Sequence, residues 1–167
     1  MSTFDECLAA VVVHEGGYSR DPHDPGNWTG GKRDVGLLRG TKYGISAAAY
    51  PDIDIAALTL GDIKQLYHRD YWKPIRGDEL PAAWRLPVFD CAVNMGVGTA
   101  VRMMQDALGV MVDGSIGART IAALQAADNR KLARFFARRV KRYSELPTFG
   151  RYWDGWLTRA FVTAMES

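Results

Sequence analysis

Apolar positions recur at helical spacing along most of the chain, with one long interval where they do not. Residues 4–15 carry apolar side chains on more than one face, which predicts a substantially buried helix stopped by Gly16-Gly17. From Tyr18 to Gly44 the pattern gives way to turn chemistry at Asp24-Pro25-Gly26-Asn27 and Gly30-Gly31. Residues 35–38 and 43–45 are expected to pair there as a small hairpin. Thr59-Leu60-Gly61-Asp62 has the form of a capping box, with Asp62 where a glutamate usually stands. The helix it opens puts Ile63, Leu66, Tyr67 and Tyr71 on one side and ends before Pro74. Pro81 and Pro87 punctuate the next connection, and residues 88–95 return to an apolar helical run that Gly96 and Gly98 interrupt. Residues 99–108 follow with Val101, Met104 and Leu108 inward, then a tight turn over 112–117 and a helix over 120–126. Asp128 caps a longer helix through Tyr143, and 148–165 is the last, with Trp153, Trp156, Leu157 and Phe161 on one side.

Length and composition narrow the class. A chain of 167 residues that is 47% apolar, with no linker and no internal repeat, reads as one globular domain with a real core. A net charge of +2 does not argue for nucleic acid. The apolar run 8–13 is far too short to span a bilayer and follows Asp5 and Glu6 rather than a basic leader, so neither a signal peptide nor membrane insertion is expected. Cys7 and Cys91 lie within apolar helical patterns and read as buried free thiols. His14, His23 and His68 show no ligand spacing, and neither a metal nor a cofactor is expected. The basic positions Lys131, Arg134, Arg138, Arg139, Lys141 and Arg142 read as a solvated helix face.

The candidate chemistry sits where the helical pattern lapses. Glu15 closes the first helix, where the negative end of the helix dipole and partial burial both disfavour ionisation, as a general acid requires. Glycosidic cleavage needs such an acid and usually a second carboxylate. Asp21 or Asp24 lies on the loop that turns back past Glu15, and Thr41 could hold a water. Each of these has an ordinary turn or strand role; together with the glycines and aromatics in one loop they form a candidate site. Among the aromatics, Trp28 leans towards ligand contact and Trp72 towards packing, while Tyr18, Tyr43, Tyr50 and Tyr71 fall in or near the loop. Trp84, Trp153 and Trp156 sit on helical patterns and read as core.

His14-Glu15-Gly16-Gly17-Tyr18, Asp21-Pro22, Asp24-Pro25-Gly26 and Thr41-Lys42-Tyr43-Gly44-Ile45-Ser46 resemble the signature of glycoside hydrolase family 108, lysozyme-like N-acetylmuramidases often labelled secretion activator proteins. The resemblance implies that Glu15 is the catalytic acid. By a looser analogy with phage-type lysozymes, it implies that Asp24 and Thr41 orient water in an inverting reaction. The spacing is expanded over 27–40, which makes Thr29 a rival to Thr41 and leaves Asp21 beside Asp24. Further on, Phe89-Asp90-Cys91-Ala92-Val93-Asn94-Met95-Gly96-Val97-Gly98, Gln105 and Val112-Asp113-Gly114-Ser115-Ile116-Gly117-Ala118-Arg119-Thr120 resemble the peptidoglycan-binding region that follows this motif. Asn94 is a candidate sugar contact or a helix-end residue, and Asp113-Gly114 is turn chemistry first.

The expected fold is therefore mainly α (α+β) and lysozyme-like: one domain over 1–167, with a catalytic-motif lobe over about 3–83 carrying a small β-hairpin, a helical lobe over about 84–160, and a cleft between them. The expected activity is hydrolysis of the β-1,4 bond between N-acetylmuramic acid and N-acetylglucosamine in peptidoglycan. Glu15, Asp24 and Thr41 would be catalytic, and Tyr18, Asp21, Trp28, Tyr43 and Asn94 would contact substrate. The alternatives are a lytic transglycosylase and a non-catalytic wall-binding or secretion-assisting protein. A monomer made in the cytoplasm, released through a holin or secretion route and acting on the wall, completes the expectation.

Overall fold

A computed structural model describes residues 3–167, with His14 described by its backbone alone. Among the described residues, the helices are α1 (Phe4–Glu15), α2 (Leu60–Tyr67), α3 (Ala82–Met95), α4 (Val97–Leu108), α5 (Ala118–Gln125), α6 (Asn129–Ser144) and α7 (Phe149–Met165). Three short strands, β1 (Tyr18–Ser19), β2 (Thr41–Lys42) and β3 (Ile45–Ser46), form an antiparallel sheet in that order. The fold is mainly α with a small sheet, as the pattern predicts. The backbone gathers into two compact units, one of residues 8–67 and the other of residues up to 7 together with 68–167. No helix of the described residues is long and apolar enough to cross a membrane.

In the unit of residues 8–67, a two-residue turn sets the sheet. Lys42 pairs with Ile45, so Tyr43 and Gly44 make the whole connection. Both have positive φ, 47° and 74°, as the tight hairpin turns that match strand twist require. This corrects the expected hairpin: Tyr43 is a turn residue, and Thr41-Lys42 pairs with Ile45-Ser46. The segment 35–38 faces 28–30 instead, through an isolated bridge between Leu38 and Trp28 and bonds from the Thr29 and Gly30 amides, and its Val35 and Leu37 remain exposed. The capping box is formed as read: Asp62 accepts from the Thr59 amide at 2.8 Å and hydroxyl at 2.6 Å, and the Asp62 amide returns to Thr59 Oγ1 at 3.2 Å. Those Thr59 bonds hold the Asp62 carboxyl below the usual carboxylate range. Of the inward face read for α2, Ile63, Leu66 and Tyr67 are buried, while the α-helix ends at Tyr67 and Tyr71 falls in a π-helical turn, partly buried.

The first helix is less buried than its composition suggests. Cys7 and Val11 are fully buried, one helical turn apart, while Val13 is 79% exposed. A single straight helix presents one stripe to its neighbours, so apolar residues on the other faces stay in water.

In the larger unit, α3 packs on α4, α4 on α6 and α6 on α7. α3 begins at Ala82, ahead of the start expected at 88, and runs through Pro87. Pro87 removes one backbone bond, but it is buried with Leu86, Val88 and Phe89, and that packing outweighs the loss. Gly96, at φ +87°, ends α3, and α4 starts at the next residue. Phe4, Trp72 and Phe89 form an aromatic cluster with ring centroids 5.2–5.9 Å apart. Trp72 is core, as expected, and its indole N–H reaches Asp78 Oδ1 at 3.0 Å. Cys7 and Cys91 are buried free thiols, and burial pushes them up to about 11 and about 12. Trp84 is buried, but Trp153 is 50% exposed and not core. On α7 the buried positions are Ala160 and Thr163, so the inward stripe runs past Trp153.

The basic face of α6 holds an exception to its solvated reading. Arg139 is fully buried, with Nη2 2.5 Å from Asp90 Oδ2, and Asp90 is itself 1% exposed. Arg159 donates to the other oxygen of Asp90 at 2.8 Å, and the Thr163 hydroxyl lies 3.4 Å from Oδ2. Arg139 Nε donates to the Tyr143 hydroxyl at 3.0 Å, which donates onward to Asn94 Oδ1 at 2.7 Å. This single network ties α3, α6 and α7 together through polar atoms.

Candidate active site

The unit of residues 8–67 holds the end of α1, the aspartate loop and the small sheet. Glu15 is the last residue of that helix and is partly buried. Its carboxyl lies against the hairpin turn: a Cβ on Gly44 would come 3.0 Å from Glu15 Oε2 and 2.7 Å from the Tyr67 hydroxyl. Gly44 therefore satisfies two demands at once, left-handed backbone and close approach to the carboxyl. Tyr67 also fixes the turn, its hydroxyl donating to the Tyr43 carbonyl at 2.8 Å. The acid candidate is thus seated against a rigid two-residue turn.

From that turn, strand β2 carries the geometry to the aspartate loop. Thr41 sits on β2, paired with Ser19 on one side and Ser46 on the other. Its hydroxyl donates to Asn27 Oδ1 at 2.7 Å, which leaves the oxygen's lone pairs to accept from another group. Asn27 is fully buried and donates through Nδ2 to the Asp21 carbonyl at 2.9 Å. Its own carbonyl accepts from the amides of Arg39 at 2.9 Å and Gly40 at 3.0 Å. One asparagine side chain and its peptide thus clamp the aspartate loop to the strand that bears Thr41. Sequence reasoning placed Asn27 only in a turn; its partners lie up to 14 residues away, and no local signal separates a clamp from a turn asparagine.

The two aspartates are held differently from one another. Asp24 caps the 3-10 turn Pro25–Asn27, its Oδ1 accepting from the Gly26 amide at 2.8 Å. Asp21 uses the same two-residue reach in a plain loop turn, its Oδ1 accepting from the His23 amide at 2.8 Å. Both are exposed, and each keeps its other carboxylate oxygen outside these bonds. Thr29, the rival hydroxyl, accepts from the Leu37 amide at 2.9 Å and serves the 29–37 loop. Tyr18 is 45% exposed, its hydroxyl donating to the Arg39 carbonyl at 3.2 Å. Trp28 is half-buried with its indole N–H committed to the Pro22 carbonyl at 2.9 Å, so any ligand contact is left to its ring. Tyr43, in the turn, is also partly exposed.

Asn94 and Asp113 belong to the larger unit. Asn94 accepts from Tyr143, as described, which leaves its amide N–H groups for other partners. Asp113 accepts from the Ser115 amide at 2.8 Å and from Gln105 Nε2 at 2.7 Å, and these bonds lower its carboxyl below the usual range. It is turn chemistry, built around the buried Gln105. No group of three or more histidine, cysteine, aspartate or glutamate side chains converges among the described residues in a way that could hold a metal; the side chain of His14 lies outside them.

Removal of the clamp has a defined expectation. Asn27→Ala leaves the Thr41 hydroxyl and the Asp21 carbonyl without their buried partner, and the chain is expected to lose about 1–3 kcal/mol of stability. Urea denaturation measures this, and an unchanged midpoint would remove Asn27 from the role of clamp.

A helical body with a small three-stranded sheet, and a glutamate at a helix end facing the sheet's turn, defines a lysozyme-like protein. Residues 8–96 match the glycosyl hydrolase 108 family and residues 99–161 match the predicted peptidoglycan domain; the chain belongs to glycosyl hydrolase family 108. A solved structure of SagA from Brucella abortus is 30% identical, covering 98% of this chain and 92% of that one with a TM-score of 0.81. None of the curated proteins compared matches the chain. By family it is a glycoside hydrolase with a peptidoglycan-related, lysozyme-like role.

Proposed function

We propose that the chain is a muramidase that hydrolyses the β-1,4 bond between N-acetylmuramic acid and N-acetylglucosamine, with Glu15 protonating the leaving oxygen. The observation that carries this is the seat of Glu15: the carboxyl ends a helix and lies against the Tyr43-Gly44 turn, whose leading strand β2 bears Thr41. A seated acid delivers its proton from one geometry, which is what general acid catalysis needs. Asp24, with Asp21 beside it, supplies the second carboxylate of a two-carboxylate mechanism. Thr41 orients the water, since its hydroxyl proton is committed to Asn27 while its oxygen can accept. Tyr18, Trp28 and Tyr43 offer partly exposed rings for sugar faces. The protein acts on the cell wall.

Product mass tests this reading. Purified sacculi digested by the chain should release reducing muropeptides. A 1,6-anhydro product, one water lighter, would replace hydrolysis with lytic transglycosylation, and binding of sacculi without soluble product would make the chain a non-catalytic wall-binding protein.

A further inference from the structure

The larger unit holds a cavity of about 230 Å³ that the proposed hydrolysis does not use, where α3, α4, α6 and α7 meet. Asn94, Thr99, Arg142, Tyr143 and Trp156 are among the residues that line it. This is smaller than the roughly 300–1,000 Å³ of ordinary small-molecule sites, so it admits the end of a ligand and not a disaccharide.

Its chemistry selects by charge and by bond direction. Trp156 stacks on Tyr143 with centroids 5.1 Å apart and planes 18° apart, making a flat aromatic wall. One lone pair of Asn94 Oδ1 is taken by the Tyr143 hydroxyl, and the amide keeps two N–H donors to offer. Burial pushes the Tyr143 hydroxyl up, against the opposing pull of Arg139, which keeps it a neutral donor in that bond. Arg142 brings a guanidinium to the rim, about half exposed and only loosely paired with Glu145 at 3.7 Å. Behind Tyr143 lies the fully buried Arg139, whose Nη1 has no hydrogen-bond partner among the described residues. No aspartate or glutamate lines the cavity, and the charged group in its lining is the Arg142 guanidinium. Sugar hydroxyls need both donors and acceptors; a carboxylate needs donors and positive charge. Met95 and Leu146 complete the lining with apolar surface suited to a methyl-sized side chain.

We infer that this cavity binds the free carboxylate end of a short peptide with small side chains, the chemistry of a peptidoglycan stem peptide ending in D-alanine. The carboxylate meets Arg142 and the Asn94 amide, and the terminal methyl group lies on Met95, Leu146 and Trp156. The identification of the peptide rests on the peptidoglycan reading above, while the preference for a carboxylate rests on the cavity alone. Held at this site, a stem peptide anchors the glycan strand it hangs from, independently of the loop that carries Glu15.

The test is a titration of the whole chain, followed by nuclear magnetic resonance, with N-acetyl-D-alanyl-D-alanine, its C-terminal amide and chitotetraose. The free acid is expected to shift the Trp156 indole and Asn94 amide resonances, with the amide form binding at least tenfold more weakly. Arg142→Gln, a half-exposed change away from the core, should weaken the free acid at least tenfold while leaving the melting temperature unchanged. Equal binding of acid and amide, no binding of the acid, undiminished binding by the Arg142 variant, or chitotetraose shifting these same resonances would each overturn the inference. Muramidase activity is read separately on sacculi, so its loss would remove the proposed function and leave the carboxylate site standing, and the reverse holds equally.

Discussion

Glu15→Gln is expected to lower the rate of clearing of purified cell walls by roughly 100- to 10,000-fold, the range that a general acid contributes. Glutamine keeps the length and shape of the side chain beside the Gly44 turn but carries no transferable proton. The turn itself should hold, because its determinants are the Tyr67 hydroxyl on the Tyr43 carbonyl and the positive φ of Tyr43 and Gly44. Circular dichroism and the melting temperature should therefore match the parent chain, and binding to sacculi should persist. A variant that clears walls at the parent rate would remove Glu15 from the chemistry. A variant that is inactive because it is unfolded would be recognised by its lost melting transition, and Glu15→Asp then serves as the second probe. Aspartate retains a proton but withdraws it by one methylene from the position against the turn, so activity should fall while a weak residual rate survives.

Asp90→Asn is expected to destabilise the chain by about 3–5 kcal/mol, the range for removing one partner of a buried ion pair. Asp90 is 1% exposed and receives Arg139, fully buried, and Arg159. Asparagine preserves the shape but leaves the Arg139 guanidinium in the interior with no carboxylate facing it. For a chain of this length the fall in melting temperature should be on the order of 10 °C. The exposed pair between Arg138 and Asp106 supplies the contrast: both side chains are more than 40% exposed. Water and salt screen that pair, and Arg138→Gln should change stability by about 1 kcal/mol or less. Equal melting temperatures for Asp90→Asn and the parent chain would show that the buried network adds nothing to stability.

The buried pair also shows where a sequence pattern stops being informative. On α6, Lys131, Arg134, Arg138, Arg139, Lys141 and Arg142 form one basic run, and nothing local distinguishes the single member that turns inward. Arg139 is buried because Asp90, 49 positions earlier on α3, meets it in the interior. The same limit applies to Asn27. Its residue type and its place after Asp-Pro-Gly announce a turn, and only the return of β2 makes it the link between Thr41 and Asp21. Trp153 failed in the opposite direction, since an apolar stripe on a helix is buried only where a neighbour covers it, and α7 turns Ala160 and Thr163 inward instead.

What the sequence by itself determined was whatever short-range physics decides. The end of α1 at Glu15, the capping box at Thr59, the cap at Asp128 and the breaks at glycine all follow from backbone conformation and hydrogen bonding within a few residues. The candidate residues of the Glu15 loop could be picked out for the same reason, because their order along the chain matches the family motif. Only the tertiary structure decided the strand register, the seat of Glu15 against Gly44, the Asn27 clamp, the burial of Arg139 and the cavity beside Trp156. Each of these joins groups far apart along the chain, and such contacts are selected by the free energy of the whole packed interior, which no local pattern encodes.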